Sequence, residues 1–144
     1  MKMKSNFHIH ILLIISWFLA CKSVSYTVDS LPDKQIILGT EGGFSGKSTQ
    51  YTLVESGQVF KSTGFDDKAQ ELKGLSKAKL KKLFKSFNFS SNMKYIHDVP
   101  GNYSNFMTIR EGDMMHKIVW TKQDSTISKE IKDFFDIFIK QINK

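Results

Sequence analysis

Apolar residues at helical spacing predict two amphipathic helices in this 144-residue chain. The first helix begins after Ser76, a residue type favoured as an N-cap, and its apolar face consists of Leu80, Leu83, Phe84 and Phe87. The second covers Ser128 to Ile142, with an apolar face of Ile131, Phe134, Phe135, Phe138 and Ile142. Lysines and aspartates occupy the opposite faces. Because a helix with one apolar face buries it against another layer, we expect both helices to pack on a sheet.

Shorter stretches rich in β-branched and aromatic residues predict five strands. They are Gln35–Thr40, Ser48–Glu55, Gln58–Thr63, Tyr103–Arg110 and Met114–Trp120. A glycine-rich turn over Glu41–Lys47 joins the first two strands, and the last two form a hairpin around Gly112. The polar stretch Gly64–Lys73 is compatible with one helical turn, and Asn88–Asn102 is expected to be a long irregular connection. The order β-β-β-α-β-β-α indicates a single α+β domain with a mainly antiparallel sheet and helices packed on one face.

The first residues have the pattern of a bacterial lipoprotein signal. Lys2 and Lys4 precede the apolar run Ile11–Ala20, and Cys21 follows it directly. The run is well short of the roughly 20 apolar residues that span a bilayer. We therefore expect residues 1–20 to be a signal peptide, residues 21–34 a tether lipidated at Cys21, and residues 35–144 the domain. This places the protein in the bacterial cell envelope, in a periplasmic or cell-surface leaflet, with plain secretion as the alternative.

Charge and composition argue against nucleic acid and nucleotide as partners. The formal net charge is +7, but Arg110 is the only arginine, whereas nucleic-acid readers usually rely on arginine for bidentate contacts. The stretch Glu41–Ser48 resembles a phosphate-binding loop in its Gly-Lys-Ser ending. That motif needs glycine where Glu41 stands and a helix afterwards, and here a strand follows. Cys21 is the single cysteine, so no internal disulfide is expected.

Two histidines remain once the signal peptide is removed, His97 and His116. Catalytic zinc usually requires three ligands at recognisable spacing, so we expect no metal site and no cofactor. His97 and Asp98 could act as an acid–base pair, and a small envelope hydrolase using His97, Asp98 and His116 is one alternative function. No serine lies in a nucleophile elbow, so we favour a non-enzymatic protein without catalytic residues.

Four features together resemble the emfourin family. They are a strand followed by Gly42-Gly43-Phe44-Ser45-Gly46, a helix rich in lysine and leucine, a segment from Asp98 to Tyr103 that leads into a hairpin, and an apolar terminal helix. The resemblance covers Ile36 to Ile142. Emfourins are small bacterial inhibitors of thermolysin-type metallopeptidases, so it implies a cofactor-free α+β domain that binds another protein.

Loops are the usual site of recognition on a rigid scaffold. We therefore expect Gly42, Gly43, Phe44, Ser45, Gly46, His97 and Asp98 to bind a protein partner, for which a metallopeptidase is the candidate that the resemblance supplies. The lipid on Cys21 is expected to bind the membrane. A third alternative is a passive lipoprotein that binds glycan or another envelope component through exposed aromatic residues. The aromatic residues available are Tyr51, Phe60, Tyr95, Tyr103 and Phe106. Core and sheet packing is the more common role of such residues.

Overall fold

The structure is a computed structural model that describes residues 24–43, 46, 48–64 and 68–143. The predicted signal peptide, Cys21, Phe44 and Ser45 lie outside the described residues. Among the residues that are described, no helix is both long enough and apolar enough to cross a membrane.

Six antiparallel strands of the described residues form one sheet in the order β4-β3-β2-β1-β5-β6. The strands are β1 Lys34–Gly42, β2 Thr49–Val54, β3 Val59–Thr63, β4 Gln70–Glu71, β5 Tyr103–Glu111 and β6 Met114–Thr121. β1 lies at the centre and pairs with β2 on one side and with β5 on the other. The five predicted strands are therefore all present, and the α+β class with an antiparallel sheet is confirmed.

In the described part of the chain three helices accompany the sheet, namely α1 Lys77–Ser86, α2 Phe89–Asn92 and α3 Lys129–Ile142. The core joins one face of the sheet to the buried faces of α1 and α3. From the helices it takes Leu80, Phe84, Ile131, Phe134, Phe135 and Phe138, and from the strands Ile36, Leu38, Leu53, Met107, Ile109, Ile118 and Trp120. Leu83 and Ile142, also predicted to face inward, are half-buried and pack against this cluster. The period of the apolar residues thus identified the buried face of each helix correctly.

Three local features differ from the sequence-based expectation. The described part of Gly64–Lys73 contains the short strand β4, because Gln70 and Glu71 pair with the open edge of β3. The connection Asn88–Asn102 contains the helix α2, where the Asn88 side chain caps the Ser91 amide. Ser76 does occupy the N-cap position of α1, but its side chain makes no capping hydrogen bond.

The two ends of the sheet are built differently. At the N-terminal end, the β2–β3 turn Glu55–Gln58 and the β5–β6 turn contact the segment that precedes β1, through Tyr26 and Asp33. At the opposite end, called here the loop end, the glycine-rich β1–β2 connection lies beside the loop 97–102. The nine residues of β1 join the two ends, a distance of roughly 26 Å at the usual rise per strand residue.

Candidate functional site

The two loop segments predicted to bind a partner meet at the loop end. The Gly43 amide donates a hydrogen bond of 2.5 Å to the Asn102 carbonyl. Gly42 and Gly43 have φ values of +106° and +80°, which L side chains rarely adopt. A Cβ atom on Gly42 would lie 2.4 Å from the Asn102 oxygen, and one on Gly43 would lie 2.9 Å from the Tyr103 ring. Glycine is therefore required for the two segments to approach this closely.

A cleft of about 550 Å³ opens where these segments meet the sheet, and we call it the loop cleft. Gly42, Gly46, Pro100 and Gly101 line it from the loops. The remaining lining residues are Glu41, Ser48, Gln50, Gly64, Ser104, Phe106, Thr108 and Lys117. Most of these side chains carry a hydroxyl, amide or charged group, so the cleft offers hydrogen-bonding groups to a ligand.

One side of the cleft rests on the sheet face that the helices leave uncovered. There the Phe106 ring lies across Gly39, and a Cβ atom on Gly39 would lie 2.9 Å from that ring and 2.1 Å from the Thr49 carbonyl oxygen. An aromatic side chain laid over a strand glycine covers backbone that no Cβ protects. Phe106 is only 5% exposed as a result.

An ion pair spans β1 and β6 above this ring. The Lys117 Nζ lies 2.7 Å from each Glu41 carboxylate oxygen and 4.9 Å from the centroid of Phe106. Both charged side chains remain 35–45% exposed, so solvent screens their attraction and the pair adds at most about 1 kcal/mol to stability. Its main consequence is geometric, because it holds one cation and one anion at fixed positions in the cleft.

His97 makes its contacts away from the cleft lining. Its Nε2 lies 2.6 Å from the Asp124 Oδ2, and the two side chains are 10% and 5% exposed. The imidazole also stacks on the Tyr95 ring, with centroids 5.9 Å apart. Hydrogen bonds from the Thr126 hydroxyl, from His97 and from the Thr126 amide lower the pKa of Asp124 to about 2. The pair thus connects the loop 97–102 to the segment before α3.

Asp98 and His116 have other surroundings. Asp98 is exposed, and its backbone forms a parallel bridge to Val119 that extends the edge of β6. The His116 Nε2 lies 2.6 Å from the Tyr95 carbonyl oxygen. Among the described residues, no three His, Cys, Asp or Glu side chains group in a way that could hold a metal ion.

Some pairings in this region, and the exposure of Tyr103, were not predicted from the sequence. Lys117 and Glu41 are 76 positions apart, so only strand pairing brings them together. Asp124 lies 27 positions from His97, and no motif connects the two. Tyr103 was considered only as one of several aromatic residues, yet it is 61% exposed whereas Phe60 and Phe106 are buried.

No protein-family model matches this chain, and no curated protein matches it either. The resemblance to the emfourins therefore rests on the four features quoted above and stays a prediction.

Proposed function

We propose that this chain is a lipid-anchored, non-enzymatic envelope protein whose loop cleft binds another protein. The observation that carries the proposal is the contact between Gly43 and Asn102, which joins two loop segments 59 positions apart into one surface. That surface lies at the end of the sheet opposite the segment that follows Cys21. A partner could thus approach the cleft while the lipid holds the other end of the domain at the membrane.

The chemistry of the cleft suits a polypeptide ligand. Ser48, Gln50 and Thr108 present hydroxyl and amide groups, which donate to and accept from peptide backbone. Tyr103, the first residue of β5, is 61% exposed, and Val99, in the loop 97–102, is 44% exposed. Both segments adjoin the cleft. Tyrosine is enriched among the residues that dominate the binding energy of protein interfaces, so Tyr103 is our first candidate for such a contact.

The partner proposed by resemblance is a thermolysin-type metallopeptidase. This version rests on the Gly-Gly-aromatic-x-Gly turn, of which Gly42, Gly43 and Gly46 are described. The test is the rate of peptide hydrolysis by thermolysin in the presence of the protein purified from bacterial membranes after expression of the full chain. We expect inhibition at micromolar concentration that Tyr103→Ala weakens at least tenfold.

The matched control for that test is Ile137→Ala. Ile137 lies on α3 and is 49% exposed, so its truncation changes a comparable apolar surface away from the cleft. The Ile137→Ala variant should inhibit thermolysin as strongly as the unaltered protein does. Absence of inhibition at micromolar concentration would remove the inhibitor version of the proposal and leave the choice of protein partner open.

A small hydrolase is the second candidate, and the close His97–Asp124 contact favours it. A carboxylate that orients a histidine is a recurring arrangement in acid–base catalysis. The other two residues of that hypothesis have separate surroundings, since Asp98 is exposed and His116 contacts the Tyr95 carbonyl. The test is hydrolysis of activated ester and peptide substrates, in which a hydrolase would lose turnover with His97→Gln while remaining folded.

Glycan binding has less support from the described aromatic residues. Tyr51 packs edge-on against Phe138 in the core, and Tyr95 stacks on His97. Phe60 and Phe106 are buried, which leaves Tyr103 as the exposed member of the five aromatic residues considered. Glycan sites usually use exposed rings, so we rank this alternative below protein binding.

A further inference from the structure

Positive charge is concentrated in one part of the chain. Residues 68–94 contain eight lysines and a single acidic residue, Glu71, and so carry a charge of +7. The formal net charge of the whole chain is also +7. The rest of the chain is therefore neutral overall, and a strong asymmetry of this kind indicates an anionic partner for the charged part.

Helix α1 presents most of this charge to solvent. Its exposed lysines are Lys77, Lys79, Lys81, Lys82 and Lys85, and the helix contains no acidic residue. Lys77 pairs with Glu71 at 2.9 Å. Within the described part of the chain, the other four lysines have no carboxylate within ion-pair distance. We call these four residues, Lys79, Lys81, Lys82 and Lys85, the lysine face.

The first turns of α1, and α2 just beyond its other end, lie near the N-terminal end of the sheet. A Cβ atom on Gly57, in the β2–β3 turn, would lie 2.2 Å from the Lys77 carbonyl oxygen and 2.9 Å from the Lys81 amide nitrogen. Beyond the other end of α1, the Phe89 ring lies 4.7 Å below the ammonium of Lys34, the first residue of β1. The helix therefore crosses the sheet at this end, far from the loop cleft.

The N-terminal segment is held at the same end. The Tyr26 amide donates to the Gln58 side chain at 2.8 Å, and the Gln58 amide donates back to the Tyr26 carbonyl at 3.1 Å. Gln58 is only 2% exposed, so this contact is well shielded from water. Tyr26 is five residues after Cys21, and a chain of that length spans at most about 18 Å. A lipid on Cys21 would thus hold this end of the domain close to the bilayer.

We propose that the lysine face of α1 docks on the anionic lipid headgroups of the membrane in which Cys21 is anchored. The inference rests on the proposed lipid anchor and adds the orientation of the domain. An acyl anchor and a basic patch are the two signals that commonly combine at membranes. Docking by α1 directs the loop cleft away from the bilayer. A protein partner therefore has access to the cleft.

The test is lysine acetylation of the membrane-purified protein reconstituted in vesicles. One set of vesicles is neutral phosphatidylcholine, and the other contains 30 mol% phosphatidylglycerol. We expect acetylation of the lysine face to slow at least fivefold in the anionic vesicles and to recover in 0.5 M NaCl, because salt screens headgroup attraction. Lys122, an exposed lysine that directly follows β6 at the loop end, is the internal control and should react equally in both.

Equal acetylation of the lysine face in the two vesicles would overturn the docking proposal. Equal slowing with neutral vesicles plus soluble heparin would also overturn it, since it would identify a soluble polyanion as the ligand. Flotation of the protein with neutral vesicles tests the anchor separately. Loss of flotation would contradict the lipid anchor, whereas flotation without slowed acetylation contradicts the docking surface alone.

Discussion

Glycine turns lie at both ends of the sheet, but they allow tight packing at one end and leave an open cleft at the other. At the N-terminal end, Gly57 lets the β2–β3 turn pack directly on the backbone of α1, and Gln58 fixes the preceding segment by two hydrogen bonds. At the loop end, Gly42 and Gly43 let two loops approach each other, and a cleft of about 550 Å³ remains beside them. The N-terminal end is therefore closed by packing. At the loop end, a single described backbone hydrogen bond connects the two loops.

The difference is consistent with the proposed function, in which one end is anchored and the other binds a partner. A sealed end with the N-terminal segment fixed to it can transmit the position of a lipid anchor to the whole domain. An open end with exposed side chains can adapt to a partner, and surface loops are where binding residues concentrate. Substitutions at matched positions of the two ends should therefore change stability at the N-terminal end and binding at the loop end.

The largest effect is expected from Gly57→Ala. Its φ of +81° is unfavourable for alanine, and the new Cβ would meet two backbone atoms of α1 that cannot move independently. Strain and overpacking together should lower the free energy of unfolding by about 3 to 4 kcal/mol, measured by urea denaturation. The control is Gly46→Ala, with φ +61° and no atom within 4 Å of the new Cβ, which should cost about 1 kcal/mol. Equal costs would contradict the tight packing of the β2–β3 turn on α1.

The next largest effect is expected from Gln58→Ala. The substitution leaves the part-buried amide and carbonyl of Tyr26 without their partner, which costs about 2 kcal/mol. It should also release the N-terminal segment, so that limited proteolysis cuts between Val24 and Asp33 well before it cuts the domain. Gln50→Ala is the control at the loop cleft, where Gln50 is half-buried, and it should leave the segment protected. An unchanged cleavage pattern in Gln58→Ala would show that other contacts hold the segment.

A pH-dependent effect is expected at the loop end through Asp124. Its pKa is lowered from 3.8 to about 2, first by the Thr126 hydroxyl and then by His97. A lowered carboxyl pKa stabilises the folded state above the ordinary value, and this stabilisation is lost as the pH falls from 3.8 towards 2. Asp124→Asn should remove that part of the acid dependence, measured as unfolding midpoints between pH 5 and pH 2. Parallel profiles for the two proteins would contradict the assignment.

The smallest stability effect is expected from Lys117→Gln. The Lys117–Glu41 pair is partly exposed, so its loss should change the free energy of unfolding by less than about 1 kcal/mol. If the cleft binds a partner, the same variant should weaken binding measurably, because the cation over Phe106 is removed. A large loss of stability would show instead that the pair is structural.

The sequence predicts features that depend on local periodicity. Ile131, Phe134, Phe135 and Phe138 recur at helical spacing, and all four are buried in the core. Gly112 marked the hairpin between β5 and β6, which is present with the predicted strands on either side. These predictions were correct because neighbouring residues in the chain determine them.

Features that depend on distant residues were not predictable in this way. The two-residue strand β4 forms only because the edge of β3 is available, and its polar sequence carries no strand signal. The partner of His97 is Asp124 and not the adjacent Asp98, since neighbouring side chains in an extended segment point in opposite directions. The close contact of Phe106 with Gly39 likewise requires the register of β1 and β5.

The central claim is that the loop end binds a protein, and site-specific photo-crosslinking in living bacteria tests it most directly. The full chain would carry the photoreactive residue p-benzoylphenylalanine at position 103 or, as a control on α3, at position 137. We predict a discrete crosslinked product from position 103 that is absent from position 137 and fades when Gly43→Val forces the two loops apart. No product from position 103, or the same products from both positions, would contradict the claim.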